Sequence, residues 1–234
     1  MPMLVRRCPQ FLFPTVCPVC RAARSEEMGE PCAACRELLR ELPTPRCPGC
    51  GGARDGVLDL CGECLQTGPR PWDHAVSVFD FGGDIRDIIH RLKYQGQVSL
   101  APFLARRMQG NWERFGGSTP QAIVPVPLHW GKELIRGYNQ AELLAEGIGR
   151  GLGIPVRHLL RRRRWTRQQA KLTFTDRQRN VRGVFAVRRR TAVVAADLLL
   201  VDDVMTTGAT LGEAVKVLKD AGATRVSIIT AARG

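Results

Sequence analysis

Eight of the nine cysteines fall into four Cys-x-x-Cys pairs: Cys17 and Cys20, Cys32 and Cys35, Cys47 and Cys50, Cys61 and Cys64. Eleven residues separate the first two pairs and ten the last two. A two-residue gap lets both thiolates of a pair face one ion across a tight turn, and two such turns complete a tetrahedral four-sulfur site. Pro18, Pro48, Gly49, Gly51 and Gly62 supply the turn geometry. The pattern predicts two structural Zn2+ ions. Sequential pairing closes the shortest loops and costs least in chain entropy, although a crossed partition satisfies the same spacing. Closed four-thiolate sites have no open coordination position, so they stabilise a fold and do not catalyse. Few large apolar residues accompany these cysteines, so metal takes the place of a core in this segment. Cys8 is left over as a spare thiol.

Paired cysteines read as disulfides in a secreted chain and as metal ligands in a reducing compartment. The opening segment, MPMLVRRCPQFLFPTVC, has a short apolar run flanked by prolines and no small-residue cleavage site. It does not resemble a secretory signal. No window approaches the ~20 apolar residues of a membrane helix. These features point to the cytoplasm, with any membrane association peripheral.

Net charge is +13, and it is concentrated. Residues 157–190 hold 13 basic side chains against one acid, Asp176. Such a patch suits a polyanion, whether nucleic acid, a phosphorylated substrate or an anionic membrane surface. Residues 1–70 are nearly neutral, which favours a folding and docking role for the cysteine module over direct nucleic-acid contact.

The prolines and glycine of TGPRPWD, residues 67–73, mark a linker. The expected domains are a zinc module over 8–66 and a larger unit over 70–234. In the larger unit, residues 75–81 read as a strand. Residues 84–94 read as a helix with Ile85, Ile88, Ile89 and Leu92 on one face and His90 off that stripe, in solvent. Further helices are expected over 100–115 and 139–150, a strand over 122–128, and Asn139 as a helix cap. Strands alternating with helices predict an α/β domain with a mainly parallel sheet.

The most informative stretch is LLLVDDVMTTGAT, residues 198–210. An apolar strand runs into two carboxylates, Asp202 and Asp203. A loop of hydroxyls and glycine follows (Thr206, Thr207, Gly208, Ala209, Thr210), then a helix. Ligands of open α/β sheets sit at the carboxyl ends of strands. Backbone N–H groups at a helix start suit a phosphate. The acids need a neutral hydroxyl partner or a divalent cation, and a phosphorylated ribose satisfies both demands.

This stretch resembles the phosphoribosyl pyrophosphate (PRPP) motif of type I phosphoribosyltransferases. The wider order of blocks resembles the ComF family over nearly the whole chain: four Cys-x-x-Cys pairs, FDFGGDIRDIIHRLKYQG, VPVPLHWGKELIRGYNQAELLA, TRQQAKLTFTDRQRNVRGVF and VDDVMTTGAT. The resemblance implies a double zinc ribbon followed by a type I phosphoribosyltransferase-like parallel sheet flanked by helices. It implies that Asp202 and Asp203 contact the ribose hydroxyls, directly or around Mg2+, and that residues 206–210 cradle the 5′-phosphate. A pyrophosphate loop would begin at Val126, Pro127 and Leu128, with Lys132, Arg136 and Gly137 on the same side. A solvated turn is the plain alternative for Lys132 and Arg136.

By position, the basic block corresponds to the mobile loop that closes over substrate in such enzymes, where excluding water prevents PRPP hydrolysis. The same block offers Arg161, Arg162, Arg163, Arg164 and Trp165 to single-stranded DNA, arginine for phosphate and aromatic rings for bases. A solvated charge run is its third reading. Two functions follow from the resemblance. One is a DNA-uptake and utilisation protein working with competence proteins at the inner face of the membrane. The other is an active transferase moving phosphoribose from PRPP to a base or amine. No acceptor pocket is legible.

Overall fold

The structure is a computed structural model. It describes residues 16–22, 29–54, 58–164, 181–188 and 193–234. Two short helices, α1 (Ala33–Leu38) and α2 (Gly62–Thr67), belong to the cysteine segment. The larger unit follows with β1 (His74–Asp80), α3 (Gly83–Tyr94), a 3-10 turn and α4 (Ala101–Phe115). Next come β2 (Ala122–Pro125), α5 (Trp130–Arg136), α6 (Gln140–Leu152), β3 (Leu160–Arg162) and β4 (Phe185–Val187). The chain ends in β5 (Asp197–Met205), α7 (Ala209–Asp220) and β6 (Arg225–Arg233).

Strands β1, β6, β5 and β2 lie side by side in that order, and every pair is parallel. The parallel sheet has a helical layer on each face, which explains why its strands read as continuous apolar runs. On one face, Ile85, Ile88 and Leu92 of α3, Phe103 and Met108 of α4, and Leu144 and Ile148 of α6 pack on Ile123, Leu199, Val201 and Ile229. On the other, Leu211, Val215 and Leu218 of α7 meet Val124, Leu198, Leu200, Val226 and Ile228, together with Phe185 of β4. His90 is exposed on α3.

Three elements differ from expectation. The strand at 122 stops at Pro125, where Pro125 and Pro127 lack N–H groups and only Val126 N still donates, to Val201 O at 2.9 Å. β5 runs on past the acid pair to Met205, because β6 pairs with it as far as Arg233. α5 occupies a segment read as a loop. His129 caps it, its Nδ1 accepting from Gly131 N at 3.2 Å, and Gly137 closes it at φ +83°.

The cysteine segment docks on β1, an edge strand. Leu42 N donates to Val78 O at 2.8 Å, and Arg46 donates to Ser77 O. Ser77 Oγ returns a bond to Cys50 O at 3.0 Å. Backbone groups that would otherwise form an open template for strand pairing are thereby covered.

Candidate functional site

All four strands are parallel, so their carboxyl ends share one edge of the sheet. There β5 presents Asp202 and Asp203. Side chains alternate along a strand. Asp203 therefore follows Leu199 and Val201 toward the α3 layer, where Lys93 Nζ meets its Oδ1 at 2.8 Å. Asp203 is buried, and its Oδ2 has no hydrogen-bond partner among the described residues. Asp202 follows Leu198 and Leu200 toward β3, whose Arg162 lies close enough to act on its charge. Burial, then repulsion by Asp203, pushes the Asp202 carboxyl up to about 7, against the pull of Lys93 and Arg162. Burial would lower Lys93, but Asp203 and Asp202 outweigh it and hold the ammonium charged.

The chain then turns through Thr206, Thr207 and Gly208 into α7. Gly208 sits at φ +78°, and a Cβ there would come within 2.8 Å of the Trp72 ring. The position needs glycine on both counts. Ala209 N donates to Thr207 Oγ1 at 3.3 Å, and Thr210 lies in the first turn of α7, a turn without acidic residues. The carbonyls of Thr206 and Thr207 accept from Arg233 at 2.7 Å and Arg70 at 3.0 Å.

Across β5, the segment after β2 supplies cations. Asn139 fixes its course: Oδ1 caps α6 by accepting from Ala141 N at 3.1 Å, and Nδ2 donates to Val126 O at 3.1 Å. Lys132 on α5 is pushed down by burial and by the neighbouring Arg162 and Arg136. Arg136 also lies over the Tyr94 ring, 5.2 Å from its centroid. The end of α3 thus touches both halves of the site, Lys93 through the acids and Tyr94 through Arg136. Three clustered cations beside two carboxylates suit a ligand with a polyanionic end and a hydroxyl-bearing end.

The arginine run divides. Alternation on β3 sends Arg162 inward over the Phe185 ring, 5.4 Å to its centroid, while Arg161, Arg163 and Arg164 are exposed. Trp165, like Cys8, lies outside the described residues.

The eight paired cysteines form two clusters, Cys17, Cys20, Cys32 and Cys35, then Cys47, Cys50, Cys61 and Cys64. The partition is sequential. Within each cluster the sulfurs lie within 4.8 Å of one another. Cys20 and Cys32 sulfurs are 3.8 Å apart and those of Cys50 and Cys61 are 3.6 Å apart. A tetrahedral ion with Zn–S bonds of about 2.3 Å sets neighbouring sulfurs about 3.8 Å apart. Cys32 N donates to Cys17 Sγ and Cys61 N to Cys47 Sγ, both at 3.3 Å. These bonds stabilise thiolate. Burial and the adjoining sulfurs push Cys35 up to about 12 and Cys64 up as well, a repulsion that a dication would remove. The donor set therefore fits Zn2+, and each ion would be structural, closed by its four sulfurs.

Residues 8–65 match the double zinc ribbon domain family, and residues 139–234 match the phosphoribosyl transferase domain family. Competence protein F of Haemophilus influenzae is 31% identical over 208 residues, covering 86% of this chain and 90% of that protein. The DNA utilization protein YhgH of Salmonella typhimurium is 32% identical over 220 residues, covering 92% and 95%. The chain belongs to the ComF family. Competence protein ComFC of Bacillus subtilis is 29% identical, covering 86% of this ComF-family chain and 83% of the relative.

Sequence reading of this ComF-family protein missed several residues that the fold brings to the site. Lys93 reads as a solvent-facing charge between apolar helix positions. Arg70, Arg233 and Glu63 lie far from residue 207 in sequence and reach its loop only through the tertiary fold. Arg162, expected beside its neighbours at a nucleic-acid surface, is turned by alternation on β3 toward Asp202. Among the described residues no helix is long and apolar enough to cross a membrane.

Proposed function

We propose that this protein binds PRPP, with Mg2+, at the carboxyl edge of its sheet and serves DNA uptake and utilisation. The observation that supports it most is the acid pair, with Asp203 buried and Asp202 half-buried beside it. Asp203 is held by Lys93 yet keeps one buried oxygen without a described partner, an acceptor suited to a ribose hydroxyl. Beside it, residues 206–210 offer backbone N–H groups to a 5′-phosphate, and Lys132, Arg136 and Arg162 offer charge to a diphosphate. Asp202 and Asp203 are the residues that would hold Mg2+, which would supply charge neutralisation at the diphosphate. In a transfer reaction a nucleophile attacks C1 of the ribose and pyrophosphate departs. The chain's part is electrostatic: the acids orient the ribose, and the three cations stabilise charge gathering on the leaving group. Calorimetry with PRPP and Mg2+ tests this reading. Asp202→Ala with Asp203→Ala should weaken binding by at least a hundredfold, and equal affinity would refute it. Pyrophosphate release, screened against bases and amines, decides whether turnover follows.

A second reading, contact with single-stranded DNA, rests on the exposed Arg161, Arg163 and Arg164. Arg162 leaves that set, since it faces Asp202. Replacing the three exposed arginines by Gln should weaken oligonucleotide binding and reduce its salt slope by about two, at ~0.7 per neutralised phosphate. An unchanged slope removes these side chains from the interface.

A further inference from the structure

The loop at 206–208 does not stand on the sheet alone. Thr206 O accepts from Arg233 Nη1 at 2.7 Å, and Thr207 O accepts from Arg70 Nη1 at 3.0 Å. Both guanidiniums then turn to one carboxylate of the second ribbon: Arg70 Nη2 reaches Glu63 Oε1 at 3.3 Å, and Arg233 Nη2 pairs with Glu63 Oε2. Glu63 sits on α2 between Cys61 and Cys64. Arg70 Nη2 also lies 3.9 Å from Cys64 Sγ. Trp72 completes the joint. Its ring packs against Gly208, and its Nε1 donates to Gly49 O at 2.7 Å inside the Cys47/Cys50 turn. Arg233 and Trp72 are 7% and 6% exposed, while the Glu63 side chain is 45% exposed, so the joint is buried at its sheet end and open to solvent at the carboxylate.

A peptide unit is planar and trans, so a carbonyl drawn one way turns the following N–H the other way. Two successive carbonyls drawn toward the ribbon turn the N–H groups of Thr207 and Gly208 away from it, outward from the loop. We propose that Glu63, Arg70 and Arg233 are positioning residues of the phosphate cradle, and that the second zinc ribbon is the brace holding two loop N–H groups toward the ligand's phosphate. This inference deepens the phosphoribosyl reading and rests on it for the identity of the ligand. The bracing itself is a property of the ligand-free chain.

The brace explains two choices that a plain linker would not require. Residue 63 must reach two arginines at once, which a carboxylate does through its two oxygens. Residue 70 must serve a carbonyl and a carboxylate together, which the guanidinium fork does and a lysine ammonium does not do in one plane. Coupling is reciprocal: a phosphate ligand that settles the loop should also tighten equilibrium zinc binding at the second cluster.

The test is made on full-length, zinc-loaded protein carrying Glu63→Gln or Arg70→Met, with Arg91→Met at the first ribbon as the control. Zinc content is measured first, and two ions per chain show that the ribbons are intact. Backbone amide order parameters are then recorded without ligand. Thr207 and Gly208 should fall from the rigid range, about 0.85, to below about 0.6, while Ile228 in β6 and the Arg91→Met control stay unchanged. Affinity for ribose 5-phosphate should weaken about tenfold in both ribbon variants. Loop amides as rigid as wild type in both variants, at full zinc content, would overturn the proposal. Loosened amides in a protein whose wild type binds neither ribose 5-phosphate nor PRPP would leave the brace standing and remove the phosphoribosyl reading instead.

Discussion

The first ribbon's buried sulfurs cluster with little besides Val19, and Cys20 is exposed. It meets α3 and the turn after it through polar contacts, Arg91 Nη1 of α3 donating to Val19 O at 2.7 Å and Gln97 Nε2 of the turn to Pro18 O at 2.8 Å. The second ribbon follows the same four-sulfur plan, but Cys47, Cys50 and Cys64 belong to the core on the α7 face of the sheet. It bonds to β1, presses Trp72 on Gly208 and joins Arg70 and Arg233. One motif used twice thus yields a peripheral clamp and an integral core element. The difference lies in the residues between and after the sulfurs, since the sulfurs themselves are equivalent.

Metal removal tests this contrast most strongly. Cys50→Ser should destabilise the whole chain by on the order of 5 kcal/mol or more, because loss of a structural metal there also opens the core. Cys20→Ser should leave the main unfolding transition within about 1 kcal/mol of wild type. Urea unfolding followed by circular dichroism, with zinc content measured in parallel, separates the two, and equal losses would make the ribbons equivalent. A step smaller, the joints can be compared directly. Trp72→Ala removes a buried ring and should cost about 3–5 kcal/mol, whereas Arg91→Met removes one hydrogen bond to the first ribbon and should cost about 1 kcal/mol.

The smallest effect is in pH, on the edge of the sheet that the second ribbon braces and the first does not. Asp202 is pushed up to about 7. Between its unfolded value near ~4 and 7 the folded chain holds a proton that the unfolded chain has lost, so this group makes stability fall as pH rises through that window, then level off. Ligand binding that needs the carboxylate runs the opposite way. Affinity for ribose 5-phosphate with Mg2+ should be about eightfold weaker at pH 6 than at pH 7.5. Asp202→Asn should flatten that profile, and a profile unchanged by the substitution would clear Asp202 of the titration. Arg91→Met, at the first ribbon, should leave the profile as in wild type.

What could be read from the sequence was local. Cysteine spacing pointed to two four-sulfur clusters, because a metal turn is set by two cysteines with two residues between them, and it favoured the sequential partition without excluding a crossed one. The strand–acid–loop–helix order around residue 202 was equally local, as was the Asn139 cap. Lys93, Arg70 and Arg233 escaped for the opposite reason. Each reaches the acids or the loop from a segment distant in sequence, and in sequence each looks like an ordinary surface cation. α5 escaped because only seven residues form it, and Trp130, Leu134 and Ile135 stay exposed, so no buried stripe announces it.

The strand order has a consequence during synthesis. Among the described residues, β1, at residues 74–80, pairs within the sheet only with β6, at residues 225–233. At roughly 5–20 residues per second, the ribosome takes about 8–30 s to go from the end of β1 to the end of β6. Until then the second ribbon has no finished sheet to dock on, so a zinc ion taken up in that interval would be held by its four sulfurs without the core contacts of the finished fold.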